Sequence, residues 1–235
     1  KINKELLNKI RLASKVPVEN LKILSAQKAN SLKQEPRKGT PKIVLLGAST
    51  GGPRAVMQIL RELPANFPAA IIVIQHMPKY FIPSFVQRLN EQCDLDVKEA
   101  EDEDSIIPGR VLVAPGGYLM EVVKANESKN FTAKISLVET SLQHLSPSID
   151  AVFSSAAQTF GTHTLGIILT GMGKDGTKGC VEIKQCGGTT IAEDESSCIV
   201  FGMPAAAIAA QAIDSVLPLD QIAKAILTEV SSSNG

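Results

Sequence analysis

The sequence predicts an α/β fold: a doubly wound, mostly parallel sheet, with an antiparallel hairpin region in the middle of the chain. Three observations predict it. Apolar runs rich in β-branched residues, such as Ile43-Val44-Leu45-Leu46 and Ile71-Ile72-Val73-Ile74, alternate with stretches of helical periodicity. Strand, helix and strand succeed one another at the length of a βαβ unit, whose strands must be parallel. Between Val97 and Val138 the pattern changes to short runs separated by Pro108-Gly109, Pro115-Gly116-Gly117 and residues 126–130, the turn chemistry of hairpins.

Composition narrows the class. With 235 residues, 44% hydrophobic and 20% charged, the chain can bury a substantial core as one large domain or one domain with an appendage. Lysine plus arginine equals aspartate plus glutamate at 24 each, so charge recommends neither nucleic acid nor an acidic membrane as partner. No apolar run approaches the roughly 20 residues that cross a bilayer, and no membrane insertion is expected. Cys93, Cys180, Cys186 and Cys198 lack C-x-x-C spacing and are read as reduced thiols of a cytoplasmic protein.

Taken in order, residues 1–13 carry Ile2, Leu6, Leu7 and Ile10 at near-helical spacing, and residues 14–40 mix Lys, Gln, Asn, Ser and Pro. Residues 1–40 are therefore expected to be a tether, residues 41–230 the folded domain and residues 231–235 a disordered, serine-rich tail. The first strand is expected to stop at Gly47, with Pro53 near the first position of the helix behind it. Helical patterning over 55–63 leads to a strand over 70–76, then to a helix over 81–92 with Phe81, Phe85, Leu89 and Cys93 on one face. The short runs 97–100, 110–114, 118–124 and 131–138 make the antiparallel region. A helix comes next over 147–160, with Ser148 and Asp150 placed to serve its free N–H groups. A strand over 165–170, a helix ending near Cys186, a strand over 189–192, a helix over 205–213, the pair Val216-Leu217 and a helix over 221–230 complete the alternation.

Open α/β sheets carry their sites beyond the carboxyl ends of the strands. The first strand ends at Ser49, the second at His76, and the strand ending at Thr170 delivers Asp175 one turn later. Gly47-Ala48-Ser49-Thr50-Gly51 fits the G-x-S-x-G nucleophile elbow, yet the same glycines before a helix N-terminus suit an anion cradle or a plain tight turn. A serine hydroxyl becomes a nucleophile when a base takes its proton, histidine is the side chain that does so at neutral pH, and a carboxylate fixes its tautomer. Taken alone, His76 also suits a strand-end hydrogen bond, Asp175 a turn or helix cap, and Cys198 a thiol nucleophile without a histidine partner. The chain order Ser, His, Asp differs from that of α/β-hydrolases.

Cofactor chemistry finds less support. Ser49 stands where the dinucleotide fingerprint wants glycine, and Gln75-His76 stand where it wants an acid. The histidines are not at paired ligand spacing, so no metal and no cofactor are expected. Acyl transfer through Ser49 remains, against a non-catalytic domain that holds an anion or a signalling partner and a Rossmann-like nucleotide enzyme.

Four motifs in register sharpen the choice: Gly47-Ala48-Ser49-Thr50-Gly51-Gly52, Gln75-His76-Met77-Pro78, Ile168-Leu169-Thr170-Gly171-Met172-Gly173-Lys174-Asp175-Gly176 and Cys198-Ile199-Val200-Phe201-Gly202-Met203-Pro204. Together they resemble the CheB-type protein-glutamate methylesterases of bacterial chemotaxis. The resemblance implies Ser49 as nucleophile, His76 as general base and Asp175 as its orienting carboxylate, with oxyanion donors near Thr50 and at the Met172 N–H. It implies hydrolysis of glutamate methyl esters on the cytoplasmic helices of methyl-accepting chemoreceptors, with glutamine deamidation as companion activity. It also implies a receiver domain upstream, with residues 1–13 resembling the end of the connection and phosphorylation uncovering the site. Lys174 departs from the small polar residue expected there, and the extra residue in His144-Leu145-Ser146-Pro147-Ser148 leaves His144 without a family role.

Overall fold

Six buried residues, Ile43–Ala48, form strand β1 at the centre of a seven-stranded sheet. The computed structural model describes residues 42–125, 133–139 and 147–231; the expected tether, the tail beyond Ser231 and His144 lie outside the described residues. Helix α1 (Gly52–Arg61) leads to β2 (Ala70–Gln75), and a 3₁₀ turn (Lys79–Phe81) to α2 (Ile82–Gln92). Strands β3 (Asp96–Glu99) and β4 (Arg110–Val113) precede a hairpin of β5 (Tyr118–Lys124) and β6 (Ala133–Glu139). Then come α3 (Ile149–Phe160), β7 (Thr164–Ile168), α4 (Thr177–Gln185), β8 (Thr189–Glu193), α5 (Met203–Ala209), β9 (Ser215–Leu217) and α6 (Leu219–Ser231).

The strand order is β3-β4-β2-β1-β7-β8-β9, and every pairing in it is parallel. Both faces of such a sheet must be covered, and the alternation along β1 says by what. Val44, Leu46 and Ala48 share a core with Ile59 of α1, Phe85 and Leu89 of α2 and Ile222 of α6. Ile43 and Leu45 share the opposite core with Phe153 of α3, Ile183 of α4 and the hairpin's Met120 and Ile135. The chain leaves β1 toward β2 on one side and returns to it through β7 on the other. β1 and β7 therefore flank the topological switch point, where doubly wound sheets hold their sites.

Three expectations are corrected. Strand β1 continues through Gly47, where a Cβ would lie 2.6 Å from Ile149 Cγ2; the glycine admits α3 against the sheet rather than ending the strand. In the middle region only β5 and β6 are antiparallel, while β3 and β4 pair in parallel. The loop that joins them needs no helix because β6 holds it: Glu103 N–H donates to Ile135 O at 3.0 Å, Ile135 N–H to Asp104 O at 2.9 Å and Leu137 N–H to Asp102 Oδ1 at 2.9 Å. Phe81 sits in the 3₁₀ turn with 61% of its surface exposed, so the buried face of α2 starts at Ile82.

Candidate active site

The turn after β1 is held by its main chain. Ser49 N–H donates to Thr170 O at 3.0 Å, and Ser49 O accepts from Gly52 N–H at 2.8 Å and from Gln75 Nε2 at 2.9 Å. Gln75, 1% exposed, also donates to His76 O at 3.0 Å, so one amide ties the ends of two strands together. The reversal turns on Gly51, whose φ of 87° is a left-handed value that favours glycine. Gly171 closes the other side: a Cβ there would lie 2.7 Å from Ser49 Cβ. The half-buried Ser49 hydroxyl itself makes no hydrogen bond among the described residues.

His76 comes directly after β2, which runs beside β1 with Ala48 opposite Gln75, and its N–H donates to Ala48 O at 2.9 Å. This register brings the histidine level with the serine. Its Nε2 lies 2.7 Å from Asp175 Oδ2. An ionised carboxylate only accepts, so Nε2 carries the proton and Nδ1 keeps the lone pair of a base.

Asp175 is held by its side chain. Oδ2 also accepts from Ile149 N–H at 2.9 Å, and Oδ1 from Asp150 N–H and Gly176 N–H, both at 3.0 Å. The first two donors are the opening amides of α3, which otherwise lack partners. Burial works to raise the Asp175 carboxyl, but the His76 bond and these amides outweigh it and hold the group at about 2. Of the two residues expected to serve α3, Ser148 does so, accepting from Ala151 N–H at 3.3 Å. Asp150 instead accepts from Gly179 N–H of α4 at 2.8 Å, a correction that arises because Asp175 occupies the helix N-terminus.

The structure thus joins His76 to Asp175 and sets Ser49 on the neighbouring strand end. Thr50 and Met172 flank it on the turns after β1 and β7, and neither backbone N–H has an acceptor among the described residues. These are two open donors for a developing oxyanion. Lys174 is exposed and forms no ion pair among the described residues. Cys198 is buried, and burial, with the Glu193 carboxylate beside it, pushes its thiol far up, which removes the thiolate nucleophile. No group of three or more His, Cys, Asp or Glu among the described residues could hold a metal ion.

Gln75, Thr170 and Glu193 take part in the site without having been singled out from the sequence. Each is a polar residue at or just beyond the end of an apolar buried strand, and each is fully buried. Polarity where the pattern demands an apolar residue is the signal that marks them.

A family model described as CheB methylesterase matches residues 44–226. A protein-glutamate methylesterase/protein-glutamine glutaminase of Pyrococcus abyssi is 39% identical over 98% of this chain and 63% of its own length. One from Rhizobium johnstonii is 45% identical over 81% of this chain and 51% of its own length. The crystal structure of the Thermotoga maritima CheB methylesterase catalytic domain, 42% identical, covers 80% of this chain and 98% of that domain with a TM-score of 0.74. This chain spans between half and two thirds of the length of these two relatives. Model, relatives and fold agree over the sheet and the turns that carry Ser49, His76 and Asp175: the chain belongs to the CheB methylesterase family.

Proposed function

We propose that this chain is a serine esterase that hydrolyses glutamyl γ-methyl esters on a protein substrate and deamidates glutamine side chains at the same site. The observation that carries the reading is the 2.7 Å His76–Asp175 bond, one strand away from a Ser49 hydroxyl that nothing engages. Ser49 Oγ attacks the ester carbonyl carbon while His76 Nδ1 takes its proton. The carbonyl oxygen, now an anion, is met by the N–H groups of Thr50 and Met172. Collapse of the tetrahedral species breaks the C–O bond to the methoxy group, which leaves as methanol with the proton from His76. Water, deprotonated by His76, then cleaves the acyl-enzyme and frees the glutamate and Ser49. With glutamine the leaving group is ammonia and the remaining steps are the same. Asp175, ionised at neutral pH, stabilises the imidazolium at both stages.

The substrate in this reading is the cytoplasmic helical region of a methyl-accepting chemoreceptor, which places the enzyme in the cytoplasm. Residues 41–230 are the catalytic domain, and residues 1–40 a linker from a receiver domain that covers the cleft until phosphorylated. The relatives' names and greater length support this organisation. Labelling with a fluorophosphonate tests the nucleophile: a single adduct on Ser49, lost in His76→Ala, is expected. An unreactive Ser49 in the folded protein would favour a domain that binds without catalysis.

A further inference from the structure

Strands β7 and β8 pair in parallel as far as Ile168 and Ala192 and then part, Asp194 N–H turning to Leu217 O of β9 at 2.8 Å. Along β7, Leu169 N–H is taken by Gly47 O of β1, so the next amide, that of Thr170, faces the β8 side, where no ladder carbonyl meets it. Thr170 is 1% exposed, and a buried N–H must find an acceptor. Glu193 provides one: its Oε2 lies 2.8 Å from Thr170 N, and its side chain is fully buried. The second oxygen accepts from Ser197 Oγ at 3.0 Å, and Ser197 Oγ accepts from Leu219 N–H, at the start of α6, at 3.0 Å. The carboxyl is thus strung between the end of β7 and the start of α6.

Thr170 is the hub of the site's two turns. Its carbonyl holds Ser49 N–H at 3.0 Å, and its hydroxyl donates to Thr50 O at 2.9 Å and accepts from Val200 N–H at 2.9 Å. Three of its four polar connections therefore point toward the nucleophile turn and the 198–204 segment; only the amide is anchored backward, and Glu193 is the anchor. We infer that Glu193 is a positioning residue that, through Thr170, fixes Ser49 and the Thr50 N–H in register with His76 and the Met172 N–H. A misplacement of about 1 Å suffices to lower a rate by two orders of magnitude, so a brace at the hub acts on kcat rather than on substrate affinity. The role needs an acceptor and no charge. Glutamine offers its carbonyl to Thr170 N–H and its amide to Ser197 Oγ, which can then donate to Asp194 O, 3.3 Å away.

The catalytic consequence rests on the esterase reading, and the test separates the two. Methanol release from methylated receptor cytoplasmic fragments and amide hydrogen exchange are measured for wild type, Glu193→Gln and Glu193→Met. The methionine variant keeps the length and removes the acceptor. Expected are a Gln variant within threefold of wild type, and a Met variant at least about 30-fold lower in kcat with KM within about twofold. Ser49 and Val200 amides should exchange at least about tenfold faster in the Met variant, with Leu45 and Ile72 unchanged. Should the Met variant not fold, Thr170→Val takes its place, expected to lower kcat about tenfold at unchanged KM with faster Val200 exchange. Wild-type kcat and exchange in the folded Met or Val variant overturn the inference, as does a Gln variant as impaired as Met. If wild type itself releases no methanol, the esterase reading fails, and exchange alone decides the brace: faster at Ser49 in Met but not Gln upholds it, no change overturns it.

Discussion

The turn after β1 and the turn after β7 present the two ends of the site, and they are held in opposite ways. Ser49 is gripped by its backbone, through Thr170, Gly52 and Gln75, while its hydroxyl is left unengaged. Asp175 is gripped by its side chain, whose two oxygens receive His76 and the amides of Ile149, Asp150 and Gly176. The difference reflects the parts the two groups play. A nucleophile with a satisfied hydroxyl would have to break a hydrogen bond before reacting, so its position must come from elsewhere. A carboxylate that only orients and stabilises gains from every donor that keeps it ionised and still.

The comparison can be broken most sharply at Asp175. In Asp175→Asn the amide cannot accept from His76 and from the two α3 amides at once, and it favours the wrong imidazole tautomer. Steady-state kinetics should show a loss of about 10³–10⁴-fold, with denaturant unfolding reporting about 1–3 kcal/mol less stability. A rate within tenfold of wild type would separate Asp175 from the chemistry. On the serine side, Gln75→Leu removes the donor shared by Ser49 O and His76 O. We expect kcat to fall about 10–100-fold, with Ser49 labelling by fluorophosphonate slowed in parallel; unchanged labelling would leave Gln75 a packing residue only.

Acid titration sharpens the Asp175 side alone. Its folded carboxyl is held at about 2, below the ordinary 3.8, so between these values the unfolded chain binds more protons than the native one. The contribution is therefore fully present above about pH 4 and fades as pH falls toward 2. With a quarter of the side chain exposed, about 1–2 kcal/mol is at stake. Urea midpoints of wild type and Asp175→Asn should converge over that window; parallel curves would remove the linkage. The smallest effect belongs to Lys174→Ser. The lysine is exposed and forms no ion pair among the described residues, so stability should change by less than about 0.5 kcal/mol. Turnover of a small ester should stay within about twofold.

Much of this was legible in the sequence because buried parallel strands are written as unbroken apolar runs, and the residues at the carboxyl end of each run fall on one edge of the sheet. Ser49, His76 and the turn bearing Asp175 could be placed on that edge without knowing any contact. Direction of pairing was less legible. Pro108-Gly109 marks a turn, but nothing local says that Arg110–Val113 will run parallel to Asp96–Glu99. The loop's support comes from Ile135 and Leu137, more than 30 residues on. The groups that hold the site were hidden for the same reason. Gln75 is 26 residues from the carbonyl it binds, Thr170 is 120 from Thr50, and the amides on Asp175 belong to a helix some 25 residues earlier. Only folding brings such partners together. Their sole trace beforehand is a buried polar residue at a strand end.

The most direct test of Ser49 as the esterase nucleophile is methanol release from methylated receptor cytoplasmic fragments by this chain and by its Ser49→Ala variant. Steady release is predicted for the first and a loss of at least about 10⁴-fold for the second, with both proteins equally folded by circular dichroism. Equal release by the two, or none from a wild type whose Ser49 also resists fluorophosphonate, would contradict it.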